Sequence, residues 1–168
     1  MRQSKVILHN LTRIFYNEAE LLNFAANVAR AIQSQAIIFL SGPLGAGKTT
    51  FVRGFLRGLD YHDKVKSPTY SLVELYEVRG KAVLHADLYR LQTKKELEEI
   101  GLSEDIAAAD IALIEWPELG VASFPEPDLV CQFVFTTDAR MMQIKANTVN
   151  GETILSLLNG APDVAAKQ

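Results

Sequence analysis

The sequence predicts an α/β fold, a mixed β-sheet flanked by helices. Three observations predict it. A continuous apolar run, "AIIFLS", passes through a glycine-rich turn directly into a segment with helical spacing. Two alternating runs that suit a β-hairpin follow in the middle of the chain, and another antiparallel pair lies near the end. The chain has 168 residues, 48% hydrophobic and 22% charged, which suits about one domain with a buried core. That domain is expected to span residues 1–160. Residues 161–168, after Gly160, carry a proline and little to bury, and read as a frayed tail.

The elements follow in order. Asn17 and Glu20 read as a capping box. Leu21, Phe24, Ala25, Val28, Ala29 and Ile32 then recur at helical spacing, so a helix is expected over about Glu18 to Gln33. "AIIFLS" suits a strand covered on both faces. After the glycine-rich turn, Phe51, Phe55, Leu56 and Leu59 mark the inner face of a second helix. "KVKSPTYS" (Lys64 to Ser71) is polar, interrupted by Pro68, and reads as a loop. "LVELYEV" and "AVLHADLY" form the hairpin, joined by "RGK". Thr93 with Glu96 caps a short helix that Gly101 ends. "SEDIAAA" is a second short helix, with Ser103 as its expected cap. "IALIE" is the next buried strand, and Pro117 halts regular structure beyond Trp116. "PEPD" connects to "LVCQFVFT" and "MMQIKAN", an antiparallel pair turning at "TDAR". "ETILSLLN" closes as a helix.

The turn itself carries the chemistry. "GPLGAGKTT" (Gly42 to Thr50) fits the phosphate-loop pattern Gly-x-x-x-x-Gly-Lys-Thr in its required strand–loop–helix setting. Glycine lets the backbone wrap closely around a phosphate. The amides of Gly45, Ala46, Gly47, Lys48 and Thr49 would donate to the β-phosphate. The positive end of the following helix dipole faces the same anion. Lys48 would reach the β- and γ-phosphates, and the Thr49 hydroxyl would ligate Mg²⁺. The expected domain is therefore of the P-loop NTPase type.

A second metal acid is expected at the end of a neighbouring apolar strand. Asp87, after "VLHA", and Glu115, after "IALI", both qualify. The strand ending at Glu115 has no polar break, which favours Glu115 as the metal acid, acting through a metal-bound water. Asp87 is then the spare carboxylate, near the γ-phosphate or the attacking water. His85 lies two residues before Asp87 and shares its strand face. It reads first as a half-buried strand histidine, and alternatively as a group that orients Asp87. Trp116 reads equally as core packing or as a wall of the site or a partner-facing anchor. Ser67, Thr69 and Tyr70 fall where P-loop proteins often place a switch segment ordered by γ-phosphate and Mg²⁺.

Composition and motifs exclude several classes. There are 17 basic and 20 acidic side chains, a net charge of -3, which argues against a standing nucleic-acid surface. A local basic patch or an RNA-carrying partner stays open. The single cysteine, Cys131, sits in an apolar run and reads as a buried core thiol suited to a reducing compartment. The N-terminus lacks the features of a targeting signal, and no apolar run approaches the ~20 residues of a membrane helix. Neither the Asp-x-x-Gly nor the guanine-selecting Asn-Lys-x-Asp string of GTPases occurs, so ATP is the expected nucleotide. A shikimate-kinase-like small-molecule kinase is the alternative. Its acceptor-holding segments are not evident, and "RLQTKKELEE" is too acidic for a cationic lid.

Taken together, "GPLGAGKTT", "KSPTYSL", "HADLYR" and "IEWPE" resemble the bacterial TsaE (YjeE) family over roughly Glu18 to Asp138. The resemblance implies a cytoplasmic, weakly active, Mg-dependent ATPase required for N6-threonylcarbamoyladenosine at position 37 of tRNAs that decode ANN codons. It implies TsaD- and TsaB-like partners, with group transfer on TsaD and tRNA reached through the complex. It places Gly45 through Thr50 on the nucleotide phosphates, Thr49 and Glu115 on Mg²⁺, and Asp87 on the nucleotide or its water. Glu18 and a backbone group near Ala139 or Arg140 would approach the nucleotide. Met1 to Tyr16 and the chain after Arg140 carry no matched motif.

Overall fold

The structure is a computed structural model that describes residues 7–66, 68 and 70–160. Seven strands form one sheet in the order β1-β7-β6-β2-β5-β4-β3. In chain order the elements are β1 (Asn10–Phe15), α1 (Glu18–Ala31), β2 (Ala36–Ser41), α2 (Lys48–Gly58), β3 (Val73–Val78) and β4 (Lys81–Asp87). Then come α3 (Lys94–Ile100), α4 (Leu102–Ala108), β5 (Ile111–Glu115), β6 (Leu129–Phe135), β7 (Arg140–Ala146) and α5 (Val149–Gly160). A single 3-10 turn, Pro117–Leu119, follows β5.

The central strands β6, β2, β5 and β4 run parallel, and antiparallel pairs close both ends. All six residues of β2 and all five of β5 are buried, as expected for strands covered on both faces. Alternate residues divide between two cores. Ile38, Leu40 and Leu113 pack with Phe51 and Phe55 of α2 on one side. Ile37, Phe39 and Ile114 pack with Leu97, Leu102 and Ile106 of α3 and α4 on the other. The domain therefore has three layers.

Local chemistry explains the helix ends. Asn17 accepts the Glu20 amide at 2.9 Å and starts α1. Thr93 and Glu96 form a reciprocal capping box on α3. The expected Ser103 cap is corrected: Gly101, at φ 70°, both ends α3 and precedes α4, so Ser103 falls inside the first turn. Helix α1 also stops two residues earlier than its periodicity suggested, because Ile32 turns extended. Helix α5 starts a turn before "ETILSLLN", where the Thr148 hydroxyl accepts the Gly151 amide.

Strand β1 was not foreseen. Its Leu11 and Phe15 point into the core while Asn10, Thr12 and Ile14 face out, and it pairs with β7 at the sheet edge. Two close approaches set the helix layer. A Cβ at Gly54 would sit 2.5 Å from the Leu22 carbonyl, and one at Gly58 2.5 Å from that of Ala26. Helix α2 thus lies directly on the α1 backbone. The carboxyl ends of β2, β4 and β5 emerge side by side, where ligands bind in open α/β sheets.

Candidate functional site

Ser41 ends β2, and the chain turns at once through Gly42, at φ 139°. No side chain fits there, because an added Cβ would meet the Phe133 carbonyl at 2.7 Å. Gly47, at φ 110°, precedes α2 and gives it no side-chain cap. The first amides of α2 therefore lack a partner from their own cap, the arrangement that receives an anion. Ala46 is buried, while Gly45, Gly47, Lys48, Thr49 and Thr50 line a cleft of about 280 Å³. Leu44, Asp87, Tyr89, Glu115, Trp116 and Arg140 complete its lining.

Lys48 is 4% exposed. Its Nζ donates to the carbonyls of Gly42 at 2.6 Å and Pro43 at 3.0 Å, and lies 4.2 Å from the Trp116 ring centre. Burial lowers its pKa, and the charges of Glu115 and Asp87 work against that shift. The ammonium is thus folded back onto the loop, with acids beside it.

Glu115 is 2% exposed and carries two partners. Thr49 Oγ1 donates to its carboxylate at 3.0 and 3.3 Å, and His85 Nε2 lies 2.8 Å from Oε1. His85 is wholly buried, and its Nδ1 has no hydrogen-bond partner among the described residues. The sequence reading of His85 is corrected on both counts. It is fully rather than half buried, and it holds Glu115 rather than Asp87. Strand β4 is parallel to β5 with Asp87 opposite Glu115, so the Glu115 side chain reaches back across the strands toward His85.

Asp87 accepts the Tyr89 amide at 3.0 Å. Burial raises its carboxyl pKa; the Tyr89 amide opposes that, and the Glu115 charge adds to it. Its own amide donates to Leu72 at 2.9 Å, and the Leu72 amide donates to Pro68 at 2.7 Å. The loop after α2 is in this way tied to the Asp87 backbone. Ser67 and Thr69, two of the expected switch residues, lie outside the described residues, as do residues 161–168. Tyr70 does not line the cleft; it is exposed, with the Arg90 guanidinium 4.5 Å from its ring centre.

Trp116 does both: half-buried, it packs against the core on the α3–α4 side of the sheet and also lines the cleft. It holds left-handed backbone at φ 55° and packs on Tyr89 with ring centres 5.0 Å apart. A non-glycine residue in that conformation costs about 1 kcal/mol or more. The Trp116 amide, bonded to Leu40 at 3.1 Å, holds it there.

A second cleft of about 310 Å³ adjoins the first through Arg140. Tyr16, Asn17, Glu18, Phe135, Asp138 and Ala139 are among its lining residues. Glu18 pairs with Arg53 at 2.9 Å, and Arg53 donates to Thr50 Oγ1 at 3.1 Å. Sequence reasoning missed Tyr89, Leu44 and the Arg140 side chain. Tyr89 stood in the quoted "HADLYR", two residues past Asp87, Leu44 inside "GPLGAGKTT" and Arg140 at the end of "TDAR"; the motifs point to the backbone and to their defining residues, not to these side chains.

The donor set suits a hard cation. Thr49 Oγ1 and the Glu115 carboxylate are adjacent oxygens, with Asp87 beside them, and Mg²⁺ takes few protein oxygens while keeping its waters. Among the described residues no group of three or more His, Cys, Asp or Glu forms a closed metal cage. No helix among them is long and apolar enough to cross a membrane.

Comparison with known proteins decides the family. The family model "Threonylcarbamoyl adenosine biosynthesis protein TsaE" matches residues 15–144, from the end of β1 into β7. The chain belongs to the TsaE family. The TsaE of Haemophilus influenzae, described as a tRNA threonylcarbamoyladenosine biosynthesis protein, is 38% identical over 154 residues, 89% of this chain and 98% of its own. The TsaE of Rickettsia bellii is 34% identical over 119 residues, 70% of this chain and 82% of its own. A crystal structure of Bacillus subtilis YdiB superposes with a TM-score of 0.75 at 26% identity, covering 89% of this chain and 94% of that one. The TsaE match spans the lining residues of both clefts.

Proposed function

We propose that this chain is the Mg-dependent ATP-binding and ATP-hydrolysing subunit of tRNA N6-threonylcarbamoyladenosine synthesis at A37. It acts with TsaD- and TsaB-like partners in the cytoplasm and drives their turnover. The observation that carries the reading is the convergence of Lys48, Thr49, Asp87 and Glu115 on one cleft behind an anion-receiving loop.

The chemistry follows from those side chains. The amides of Gly45 to Thr49 receive the β-phosphate. Lys48 exchanges the Gly42 and Pro43 carbonyls for phosphate oxygens. Thr49 and Glu115 would hold the metal, with His85 fixing the Glu115 carboxylate. Bound Mg²⁺ supplies charge neutralisation on the transferring phosphoryl group. Asp87 orients the attacking water, and its raised pKa favours taking up a proton. Glu18 and the Ala139 backbone line the cleft that would receive the nucleoside. The acidic balance suits a subunit that reaches tRNA only through its partners.

The kinase alternative loses its lid. Leu97, Leu102 and Ile106 of the α3–α4 segment are buried against the sheet, so that segment is part of the core. The test is reconstitution: TsaD and TsaB with tRNA and threonylcarbamoyl-adenylate, assayed for multiple turnovers with and without this chain. Multiple turnovers are expected only with it. Lys48→Ala and Thr49→Ala are expected to abolish Mg-ATP hydrolysis with the fold intact. Normal rates in either variant would refute the site, and stoichiometric phosphorylation of a small acceptor would install the kinase reading.

A further inference from the structure

We infer that the crevice between α3, α4 and the turn after the 3-10 segment docks a cationic segment of a tRNA-handling partner subunit, seated by one apolar anchor side chain. The inference rests on the partner reading above and gives it a surface.

The charge on this face is out of proportion to the chain. Residues 94–108 and 117–124 hold six carboxylates against Lys94 and Lys95, a balance of -4 in a chain whose net charge is -3. Glu96 is spent on the α3 cap. Glu98, Glu99, Glu104, Asp105 and Glu118 are exposed, and among the described residues none of them forms an ion pair. Like charges crowded on one surface repel, and a cationic partner turns that repulsion into attraction.

An apolar socket of about 180 Å³ opens among these acids. Buried Leu97 and Leu102 floor it, exposed Glu98 and Glu104 stand at its rim, and Gly101 and Ser123 leave it room. A Cβ at Gly101 would meet nothing within 4 Å. Val121, two residues before Ser123, is 56% exposed. An apolar side chain flanked by Lys or Arg matches both floor and rim.

Charge also selects the occupant. A subunit that grips tRNA presents Lys and Arg to the phosphates. Outside this face the chain balances to only +1, so a second copy offers little charge to match, and two acidic faces repel. The face is also linked to both acids of the cleft. The chain runs from Asp87 through Leu88 toward α3, and from Glu115 through Trp116 into the turn that forms the far wall. The Leu88 amide donates to the Glu115 carbonyl at 3.1 Å. A Cβ at Gly120 would sit 2.9 Å from Leu97 Cδ2, so turn and helix are in contact. A partner seated here bears on both strand ends at once.

The test is calorimetric titration of the TsaD–TsaB pair with the full chain. Glu98→Lys/Glu104→Lys is expected to weaken binding by about 10- to 100-fold, because it sets like charges together. Ser123→Trp fills the socket without changing charge and is expected to weaken binding by about 10-fold or more. Both variants should hydrolyse Mg-ATP alone within about twofold of the native chain, because the changes are on the surface away from the cleft. Native binding should weaken as salt rises, and less steeply in the charge variant. Binding by either variant within about twofold of native overturns the inference. So does a native dimer that the double variant dissolves, which would make the face an interface between copies. A native chain that does not bind the pair overturns the partner reading itself, so the two failures are distinguishable.

Discussion

Replacing Asp87 by asparagine is expected to stabilise the nucleotide-free protein while removing its hydrolysis. Asp87 and Glu115 are register partners on adjacent parallel strands. Neighbouring strands lie about 4.8 Å apart, and two charges roughly 5 Å apart at an effective dielectric near 20 repel by about 3 kcal/mol. Lys48 and His85 offset part of this, and water in the cleft screens more, leaving about 1–2 kcal/mol. Asparagine keeps an oxygen for the Tyr89 amide and removes the charge. At about 2–4 °C per kcal/mol for a domain of this size, Tm should rise by about 2–8 °C. The pH dependence fixes the cause. Burial raises the folded-state pKa of Asp87, so the native state holds its proton more tightly than the unfolded chain. The stability this contributes is present at low pH and is lost as pH rises from the ordinary aspartate range through the raised value. Asp87→Asn should therefore outlast the native chain at pH 7.5 and match it near pH 4, with Mg-ATP hydrolysis down by about 100-fold or more. Scanning calorimetry without nucleotide or metal is the assay. A Tm at pH 7.5 that is unchanged or lower, or a gap that does not close on acidification, would refute the reasoning.

His85→Leu removes a hydrogen bond to a buried carboxylate and should raise the Mg²⁺ concentration for half-maximal hydrolysis by about 10-fold or more; an unchanged metal titration would remove His85 from the site. Gly58→Ala drives a methyl to 2.5 Å from the Ala26 carbonyl, and overpacking less the helix-propensity gain predicts a loss of about 1–2 kcal/mol in urea unfolding; native-like stability would mean the α1–α2 seam can open freely. The Cys131 thiol, pushed by burial up to about 12, should resist a thiol reagent at pH 8 until the chain unfolds, and fast labelling of the native chain would contradict its placement.

What the residues disclosed in advance is what local spacing encodes. The β2–loop–α2 unit, Thr49, Asp87 and Glu115 were legible because each is defined by a motif or by the end of an apolar strand. His85 shows the limit. Period-two alternation places it on the face of Asp87, but its partner lies on another strand, and only the β4–β5 register reveals that Glu115 is within 2.8 Å. Strand β1 carried a readable alternation, with Leu11 and Phe15 inward, yet one short edge strand with an exposed Ile14 offers little contrast to a loop. Arg140 was legible only as an approximate backbone position. Its side chain acquires meaning when β7 inserts between β1 and β6 and so arrives above Gly47, a placement made by residues more than a hundred positions apart.

The glycine seam between α1 and α2 has a mechanical consequence. With Gly54 and Gly58 pressed on the α1 backbone, and Glu18 tied through Arg53 to Thr50, the two helices behave as one rigid jaw carrying the phosphate loop. Sliding between them would drive methyl-sized gaps or backbone collisions through the layer. On the proposed nucleotide reading, displacement on exchanging ATP for ADP would then appear on the opposing jaw, where Asp87, Tyr89 and Trp116 stand on strand ends and turns without such a clasp. A partner that senses the nucleotide has one side of the mouth to read.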